Sequence, residues 1–393
     1  MQQDQTTLAD VEATLQPYVG GLRLLGQWSL PGGGRRLATL CAVLLAHGLL
    51  ITTSCLNLLM DPPRDLQVLT VNAHSTLTIL GLAVKVVSFS LDGARLRKLL
   101  QLLGEARAAF PDSAARRRRY GDVGFRLYIF LQVSHVVCYI SWGVAPLLSS
   151  AVAPATNGSS YENRGLPVAA WLPGVDVRAS PTYEVVYGLQ LLFTTLTTQS
   201  TVFLDSTLLA LMLHLTAELE VLNDNMAAVQ VSAEVAINSY RHGNDGDTKT
   251  SKMNRQIKTS GDGSTEEQMY EKIVENVRHH QITIACISLL EELMSRAVFV
   301  LLLCNVLCIC LHIFSTIVSE RLVHSAFSCG WPDGDGRCKQ LLLVFCLRSC
   351  RAASLKVGLL YPLSKEMVIQ VLNTSYTLFN FLYHTERARA SLD

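Results

Sequence analysis

Long apolar stretches are the feature that most constrains how this chain can fold. An α-helix needs about 20 apolar residues to cross the ~30 Å hydrocarbon core of a bilayer. Apolar residues make up 49% of the 393-residue chain and charged residues only 17%, which is too little charge to cover a soluble surface. Stretches of sufficient length fall at roughly 37–59, 67–91, 127–149, 183–215 and 295–318. The bilayer is therefore the expected solvent of these helices.

A sixth stretch, residues 364–383, has a mixed composition. It reads SKEMVIQVLNTSYTLFNFLY, which is too polar for a passive anchor and too long and apolar for a soluble surface helix. A crossing helix with one polar and one apolar face can line a pore. The apolar patch Gln340–Leu347 is too short to cross. The stretches together predict an all-α fold, a polytopic membrane helical bundle with about six visible crossings.

The distribution of positive charge predicts the orientation. The segment between the second and third stretches holds many cations, namely Arg95, Arg97, Lys98, Arg107, Arg116, Arg117, Arg118, Arg119 and Arg126. The loops expected on the other side hold only Arg64, Arg164 and Arg178. By the positive-inside rule, the arginine-rich segment and the N-terminus are cytoplasmic. Asn157, in the tripeptide Asn-Gly-Ser, then lies in an outer loop as a candidate glycosylation site.

Composition divides the chain into six regions. They are a cytoplasmic N-terminus (1–36), spans one to four (37–215), cytoplasmic helices with a flexible insertion (216–294), span five (295–318), a cytoplasmic linker helix region (319–363), and a pore-lining last span with the C-terminus (364–393). The insertion, residues 239–266, is rich in Gly, Ser, Asp, Asn and Lys, so it cannot bury enough apolar surface to order itself. On either side, residues 216–229 and 269–293 have helical periodicity and extend spans four and five.

Ionisable residues inside the spans offer little foothold for catalysis. Asp205 lies in span four among hydroxyl side chains, and we interpret it as a hydrogen-bonded structural carboxylate rather than a group facing a cavity. Lys85 lies near the end of span two and is expected to snorkel towards water. The sequence contains no nucleophile elbow, no zinc-ligand spacing and no acid/base pair. We therefore expect a protein that is not an enzyme and that uses no metal or cofactor.

Aromatic residues in the outer halves of the spans suggest a binding site for a small organic molecule. Apolar cavities lined by aromatic rings and a few hydroxyls are the usual sites for such ligands. The candidate ligand-binding residues are His74, Tyr139, Trp142, Tyr187 and Phe193. Interfacial aromatic belts and ordinary helix packing explain the same residues equally well.

Three stretches of the sequence resemble the insect odorant receptor family. The first is TVFLDSTLLALMLHLTAELEVL (Thr201–Leu222), and the second, Glu275–Leu311, is similar to the segment leading through the family's fifth span. The third, Ser319–Tyr383, resembles the C-terminal hallmark, in which a Trp precedes a cytoplasmic helix and a Pro-Leu-Ser start leads to a last span with a Ser-Tyr pair. The pair here is Ser375 and Tyr376.

The resemblance implies a function as well as a fold. Family members have seven spans and form ligand-gated cation channels, as heteromers of an odour-tuned subunit with a shared co-receptor, and the expected assembly is a tetramer. The last span lines the pore, and the outer halves of spans two, three, four and six bind the volatile ligand. Ser375 and Tyr376 are typical of a tuned subunit, Phe379 corresponds to the hydrophobic gate, and Leu382 takes the place of a pore-facing Gln. The expected partners are a volatile organic ligand, the co-receptor and membrane lipids, with no nucleic acid, in the plasma membrane of a sensory neuron dendrite.

One departure from the family is a missing crossing. The end of span five, LCICLHIF (Leu307–Phe314), runs almost directly into STIVSERLVHSAF (Ser315–Phe327), which resembles the segment just after the sixth span. A crossing of about 20 residues is absent between them. With six spans both termini lie on one side and the last helix runs in the opposite direction. We therefore expect a shortened, non-functional isoform or a coding sequence that lacks one segment.

Other protein classes fit parts of the pattern. A gustatory receptor of the same superfamily would close with a Thr-Tyr pair and a later Gln-Phe pair, which this chain lacks. A G-protein-coupled receptor keeps its N-terminus outside, against the charge distribution. An intramembrane enzyme would have only Asp205 and scattered histidines to use.

Overall fold

The structure is a computed structural model that describes residues 2–28, 34–63, 66–152, 164–242, 253–328 and 335–349, with short stretches between 356 and 387. Eight α-helices lie within the described residues: α1 (Gln2–Leu24), α2 (Gly34–Met60), α3 (Leu66–Leu91), α4 (Gly93–Ala109), α5 (Arg116–Val152), α6 (Thr182–His242), α7 (Met253–Phe327) and α8 (Gly336–Ser349). A two-residue strand β1 (Lys356–Val357) pairs antiparallel with β2 (Tyr361–Pro362). The helices dominate, so the all-α class is confirmed.

Five described helices are long and apolar enough to cross a membrane. Their candidate spans lie in α2, α3, α5, α6 and α7, at Arg36–Met60, Val68–Leu91, Arg116–Leu148, Thr182–Val229 and Glu267–Leu311. These confirm the first five expected crossings by length and composition. Half of the sixth, 364–383, lies outside the described residues.

The chain divides into two compact units. The first comprises Met1–Leu50, Gly81–Pro167 and Arg178–Val300, and the second comprises Ile51–Leu80, Val168–Val177 and Leu301–Asp393. The main hydrophobic cluster lies entirely within the first unit. Within the second unit, Ser54 and Thr76 share a buried hydrogen bond of 2.6 Å between their hydroxyls, and the backbone N–H of Trp171 donates to the carbonyl of Thr53.

The N-terminal helix is part of the core of the first unit, although the sequence assigned residues 1–36 only a cytoplasmic location. α1 packs against α4 and α6. It buries Val11, Leu15, Tyr18, Val19 and Leu22, whose spacing places them on one face of a helix. The Tyr18 ring meets the Tyr128 ring edge-on at 5.3 Å between centroids, and burial raises the pKa of Tyr18 to about 12.

Glycines set the close approaches around α1. Gly26 ends the helix with φ at +70°, a left-handed conformation that favours glycine, and a Cβ there would overlap the Arg36 carbonyl. A Cβ at Gly21 would overlap the Phe203 ring of α6. Glu12 then fastens the turn, because it accepts hydrogen bonds from Arg23 at 2.7 Å and from the Trp28 indole at 3.3 Å. The two glycines thus allow α1 to approach its neighbours closely, and the Glu12 carboxylate stabilises the turn that follows it.

Cationic side chains and buried carboxylates meet where α4, α5, α6 and α7 come together, a region that we call the arginine end. Glu218 of α6 is 1% exposed and accepts two hydrogen bonds from Arg117, at 3.0 and 2.7 Å. Arg107 of α4 donates to the same carboxylate at 3.3 Å, and His279 Nε2 of α7 lies 3.3 Å from it. Phe110 stacks on the His279 ring at 4.2 Å. One carboxylate therefore links four helices.

A second, more exposed group of ion pairs borders Glu218. Arg116 binds Asp224 at 2.8 Å and Glu220 at 3.0 Å, and Tyr120 donates to Glu220 at 2.6 Å. Asp112 caps the start of α5 by accepting from the backbone N–H groups of Arg116 and Arg117, both at 2.9 Å. Burial lowers the pKa of Arg107, and Glu218 opposes that shift. This arrangement fixes the start of α5 against the middle of α6.

The long extensions of α6 and α7 change the expectation for residues 239–266. α6 continues to His242 and α7 begins at Met253, so the described parts of the expected flexible insertion are helical. Residues 243–252 lie outside the described part of the chain. Once a helix has nucleated in an ordered segment, each further residue adds a hydrogen bond without a new nucleation cost. Composition alone could not reveal this propagation.

We expect Leu15→Ala to lower the free energy of unfolding by about 2–5 kcal/mol, because it leaves a cavity between α1 and the membrane helices. Gln16→Ala, at an exposed position of the same helix, is the matched control. Thermal denaturation of the detergent-solubilised chain, followed by size-exclusion chromatography, measures both. An equal melting temperature for the two variants would show that α1 does not belong to the core.

We expect Glu218→Ala to cost about 3–5 kcal/mol of stability, since it removes a buried carboxylate and leaves the partly buried guanidinium groups of Arg107 and Arg117 without this counterion. Glu220→Ala should cost less than about 1 kcal/mol, because the Glu220 side chain is 31% exposed and surface pairs contribute little. The same denaturation assay compares them. Similar losses in both variants would contradict the central role of Glu218.

Candidate ligand-binding site

One face of α5 carries a ladder of polar and aromatic side chains that meets α6. The residues are Tyr128, Gln132, His135, Tyr139 and Trp142, and their spacings of four and three residues place them on one side of a helix. Elsewhere α5 is largely exposed and apolar, since only 6% of its span is buried within the chain. Gln132 accepts from the Gln199 amide at 2.9 Å, inside the membrane-spanning part of the pair. The ladder therefore determines how α5 and α6 pair.

Tyr139 anchors the ladder at the centre of the candidate site. Its hydroxyl donates to the main-chain carbonyl of Leu191 at 2.7 Å and accepts from the Thr195 hydroxyl at 2.7 Å. Thr195 Oγ1 also lies 2.7 Å from the Leu191 carbonyl, which is an alternative acceptor for its single proton, so three groups on α6 and α5 lie within hydrogen-bond distance of one another. The Tyr139 ring lies 6.3 Å from the Trp142 ring, centroid to centroid.

Two further tyrosines close the end of the helix pair, which we call the tyrosine end. The Tyr187 hydroxyl donates to the Gly143 carbonyl, and the Tyr183 hydroxyl donates to the Gly165 carbonyl at 3.1 Å. Both tyrosines are 7% exposed, and their rings lie 5.6 Å apart. Gly143 permits the approach of the helices, because a Cβ there would lie only 3.2 Å from the Leu191 side chain.

Charge at the tyrosine end lies beside the rings. Arg164 sits over the Tyr183 ring at 5.0 Å from its centroid and pairs with Glu184 at 3.2 Å. Ser180 also donates to Glu184, at 3.1 Å. The hydroxyls of all three tyrosines donate to main-chain carbonyls. What these residues can offer to a ligand is therefore the apolar surface of their rings.

The structure brings together three of the five predicted ligand-binding residues. Tyr139, Trp142 and Tyr187 lie within the α5–α6 pair of the first unit, and Trp142 is 38% exposed. Phe193 is half-buried on α6, but six residues on a helix place it about 240° around the axis from Tyr187. His74 is half-buried on α3, in the second unit. Asn157 lies outside the described residues.

A buried row of small polar residues continues along α6. Its members are Gln190, Thr194, Thr197, Ser200 and Thr201, each at most 7% exposed. The Thr and Ser hydroxyls donate to carbonyls three or four residues earlier in the same helix. Sequence reasoning missed this row as a site feature, although the TTLTTQST run signals it. These hydroxyls bond carbonyls of their own helix, so the row can pack against a neighbour or line a passage without further hydrogen-bond partners.

An ion pair inside the membrane-spanning part joins α3 to α6. Lys85 donates to the Asp205 carboxylate. This pairing agrees with the structural interpretation of Asp205, whereas Lys85 binds a partner helix instead of snorkelling towards water. The Lys85 side chain is 7% exposed, so its charge needs a counterion within the protein. The two residues are 120 positions apart, which no local pattern reveals.

The last helix presents a polar row among its described residues. Gln370, Asn373, Thr374 and Thr377 share one face and border a shallow groove together with Ile369. Thr374 and Thr377 donate to carbonyls four residues earlier, both at 2.8 Å. Ser375 and Tyr376 are exposed and lie off this row, with Ser375 on roughly the opposite side of the helix. Phe379 and Leu382 lie outside the described residues.

No group of three or more histidine, cysteine or acidic side chains suited to a metal ion occurs among the described residues. His47 is 1% exposed and bonds the Val43 carbonyl of its own helix at 2.8 Å. The chemistry within the described helices is thus hydrogen bonding, ion pairing and apolar contact.

The comparisons with known proteins agree on one family. The sequence model described as 7tm odorant receptor matches residues 65–319 and 316–376. Odorant receptor 10 of Aedes albopictus is 26% identical over 261 residues, or 56% of this chain and 60% of that protein. Odorant receptor Or2 of Anopheles gambiae is 24% identical over 254 residues, or 56% and 61%. The chain thus spans 60% and 61% of the lengths of these curated relatives.

Solved structures were also compared with the chain. The insect olfactory receptor OR5 from Machilis hrabei in complex with eugenol has a TM-score of 0.46 and 15% identity, covering 96% of this chain and 99% of that one. A second structure of the same receptor has a TM-score of 0.44 and 15% identity, covering 95% of this chain and 98% of that one. The family match rests on the sequence. Because the family model covers most of the chain, this multi-pass membrane protein belongs to the 7tm odorant receptor family, a family of receptors rather than enzymes.

Proposed function

We propose that this chain is the odour-tuned subunit of a ligand-gated cation channel that works with a co-receptor. The match of the odorant receptor model to residues 65–319 and 316–376 is the observation that carries the proposal. It also favours an odorant receptor over the gustatory alternative. The proposed location is the plasma membrane of a sensory neuron dendrite, with the arginine end and the N-terminus in the cytoplasm, as the positive-inside rule requires.

The proposed ligand is a small volatile organic molecule that contacts the tyrosine end. Trp142 is partly exposed beside Tyr139, and both tyrosine hydroxyls of the α5–α6 pair are engaged with main-chain carbonyls. Apolar burial at about 25 cal/mol per Å² gives micromolar-scale binding without charges. Ligand binding opens the pore if the open arrangement binds the ligand better than the closed one. His74 and Phe193 remain proposed contributors to this pocket.

The proposed pore lies along the last helix. Two faces compete for the role: the polar row of Gln370, Asn373, Thr374 and Thr377, and the face of Ser375, which the family resemblance favours together with Tyr376, Phe379 and Leu382. Hydroxyl and amide groups can replace part of an ion's hydration shell. Block by thiol reagents at Thr377→Cys but not at Ser375→Cys would assign the pore to the polar row.

Assembly with a co-receptor is supported by α7, which buries polar side chains and exposes apolar ones. Its face towards the chain buries Asn276, His279 and Thr283, all at most 6% exposed. Its outward face exposes apolar side chains beyond the most hydrophobic part of the helix, namely Tyr270, Ile273, Val274, Val277, Ile284 and Ile287. An apolar row on the outside of a polar extension suits a partner subunit. We therefore propose a hetero-oligomer, with four subunits as the expected number.

The missing crossing limits what this form of the chain can do. The two matched pieces of the family model meet at residues 316–319, where the sequence predicts that a span is absent. An even number of crossings reverses the direction of the last helix in the membrane. We propose that this form assembles an incomplete pore.

We expect odour-evoked current only from a form in which the crossing is restored. The transcript is first read across the codons for Phe314 and Ser319, and the genomic segment found there is inserted. Both forms are expressed with a co-receptor and tested with a broad odour panel under voltage clamp. Current from the shorter form would refute the missing-crossing proposal. Silence of both forms despite confirmed surface delivery would refute the channel function.

We expect Tyr139→Ala, in the conducting form, to raise the half-maximal odour concentration by roughly 10- to 100-fold, because it removes an aromatic ring worth about 1.5–3 kcal/mol of burial. Tyr139→Phe keeps the ring and loses a hydroxyl that bonds only the protein, so its shift should stay below about threefold. Surface biotinylation controls for delivery. Equal shifts in both variants would show that the hydroxyl, not the ring, meets the ligand.

A further inference from the structure

The four consecutive arginines at the start of α5 do two different things. Arg116 and Arg117 turn towards α6 and bind Asp224, Glu220 and Glu218. Arg118 and Arg119 are exposed, and their side chains have no ion pair or hydrogen bond with any described residue. Within the described part of the chain, anions are thus supplied for the first two arginines only. The second two are exposed and available to an anion from outside.

The position of these arginines on the helix also favours a nearby anion. The first turn of α5 contains no acidic residue, and the N-terminal end of a helix carries a partial positive charge. Cations are therefore unfavourable there unless an anion is close. Asp112 is already engaged in capping the backbone N–H groups of Arg116 and Arg117.

The exposed apolar surface of α5 gives the depth of these arginines in the membrane. It runs from Phe125, 46% exposed, to Leu148, 61% exposed. At 1.5 Å per residue this surface is roughly 35 Å long, enough for the ~30 Å hydrocarbon core. Arg126 then lies at the boundary, and Arg118 and Arg119 lie about 10 Å beyond it. That depth is the headgroup layer of the bilayer.

Arg119 and Arg126 share one side of the helix, since they are seven residues or about two turns apart. Asp122 lies between them and is exposed, and Arg126 Nε donates to its main-chain carbonyl at 3.3 Å. Three arginines and one aspartate leave two positive charges on this surface. Phe125 is exposed beside them. The arginines therefore lie at the level of a phospholipid's phosphate, and the apolar surface that begins at Phe125 lies at the level of its acyl chains.

We propose that Arg118, Arg119 and Arg126 bind the headgroup of an anionic phospholipid. A guanidinium group can form two parallel hydrogen bonds to a phosphate, and a basic segment beside a span attracts the anionic lipids of the cytoplasmic leaflet. The orientation proposed above places the arginine end in that leaflet. The lipid supplies the counterions that α6 provides for Arg116 and Arg117, and it fixes the height of α5 in the bilayer.

The test is a titration of the purified full-length chain with phosphatidylserine in detergent, with bound lipids counted by native mass spectrometry. The double variant R118Q/R119Q should bind phosphatidylserine roughly 30-fold more weakly, at about 1 kcal/mol for each arginine near the surface. R118K/R119K keeps the charge and should bind nearly as the parent chain does, whereas Asp122→Asn should bind more tightly. Phosphatidylcholine and soluble glycerophosphoserine complete the titration.

Unchanged binding by R118Q/R119Q would overturn the proposal. An equal loss of phosphatidylcholine binding in this variant would also overturn it, because it would indicate disturbed packing. Displacement of phosphatidylserine by glycerophosphoserine at a comparable concentration would do the same, because it would indicate a site for small anions. Because both arginines are exposed and lie at the N-terminal end of a helix, R118Q/R119Q should keep or slightly raise the melting temperature of the parent chain, and that measurement accompanies the titration.

Discussion

The Glu218 carboxylate is the interaction on which the packing of the first unit depends. A charged group that is 1% exposed is tolerable only when its counterions come with it, and here they come from α4 and α5 while α7 adds a histidine. Hydrophobic contacts between helices can slide, whereas a bidentate ion pair has one geometry. The cluster therefore sets the register of α5 on α6. The same register positions the candidate ligand site at the other end of this helix pair.

Along the α5–α6 pair, side chains and backbone have separate tasks. Tyrosine hydroxyls hold the helices together through main-chain carbonyls, and the Trp142 ring beside them is 38% exposed. A main-chain carbonyl is present whatever the residue, so the clamp tolerates changes at Leu191 and Gly143 that keep the approach open. The surface of the site can therefore vary in chemistry while the pairing of the helices persists.

The sequence predicted the membrane helices well, because crossing length and apolar composition are properties of short windows. The same reasoning singled out Tyr139, Trp142 and Tyr187 by their aromatic character, and the structure places all three in one helix pair, while their role in ligand binding stays a prediction. It missed α1, because the row from Val11 to Leu22 is interrupted by polar residues and its partners lie far along the chain. It also missed the Lys85–Asp205 pair and the carbonyl partners of the tyrosines, since neither a contact over 120 residues nor a main-chain acceptor leaves a local signal.

The order of synthesis gives the buried ion cluster a second meaning. Arg117 precedes Glu218 by 101 residues, so at 5–20 residues per second the carboxylate leaves the ribosome roughly 5–20 s later. During that interval the guanidinium group lacks this partner, and we expect it to resist transfer into the bilayer because an unpaired charge there is costly. When α6 arrives, the same charge is withdrawn from water and becomes an interior contact. We therefore expect Arg117 to act twice, first as a hydrated charge during insertion and then as a buried partner of Glu218.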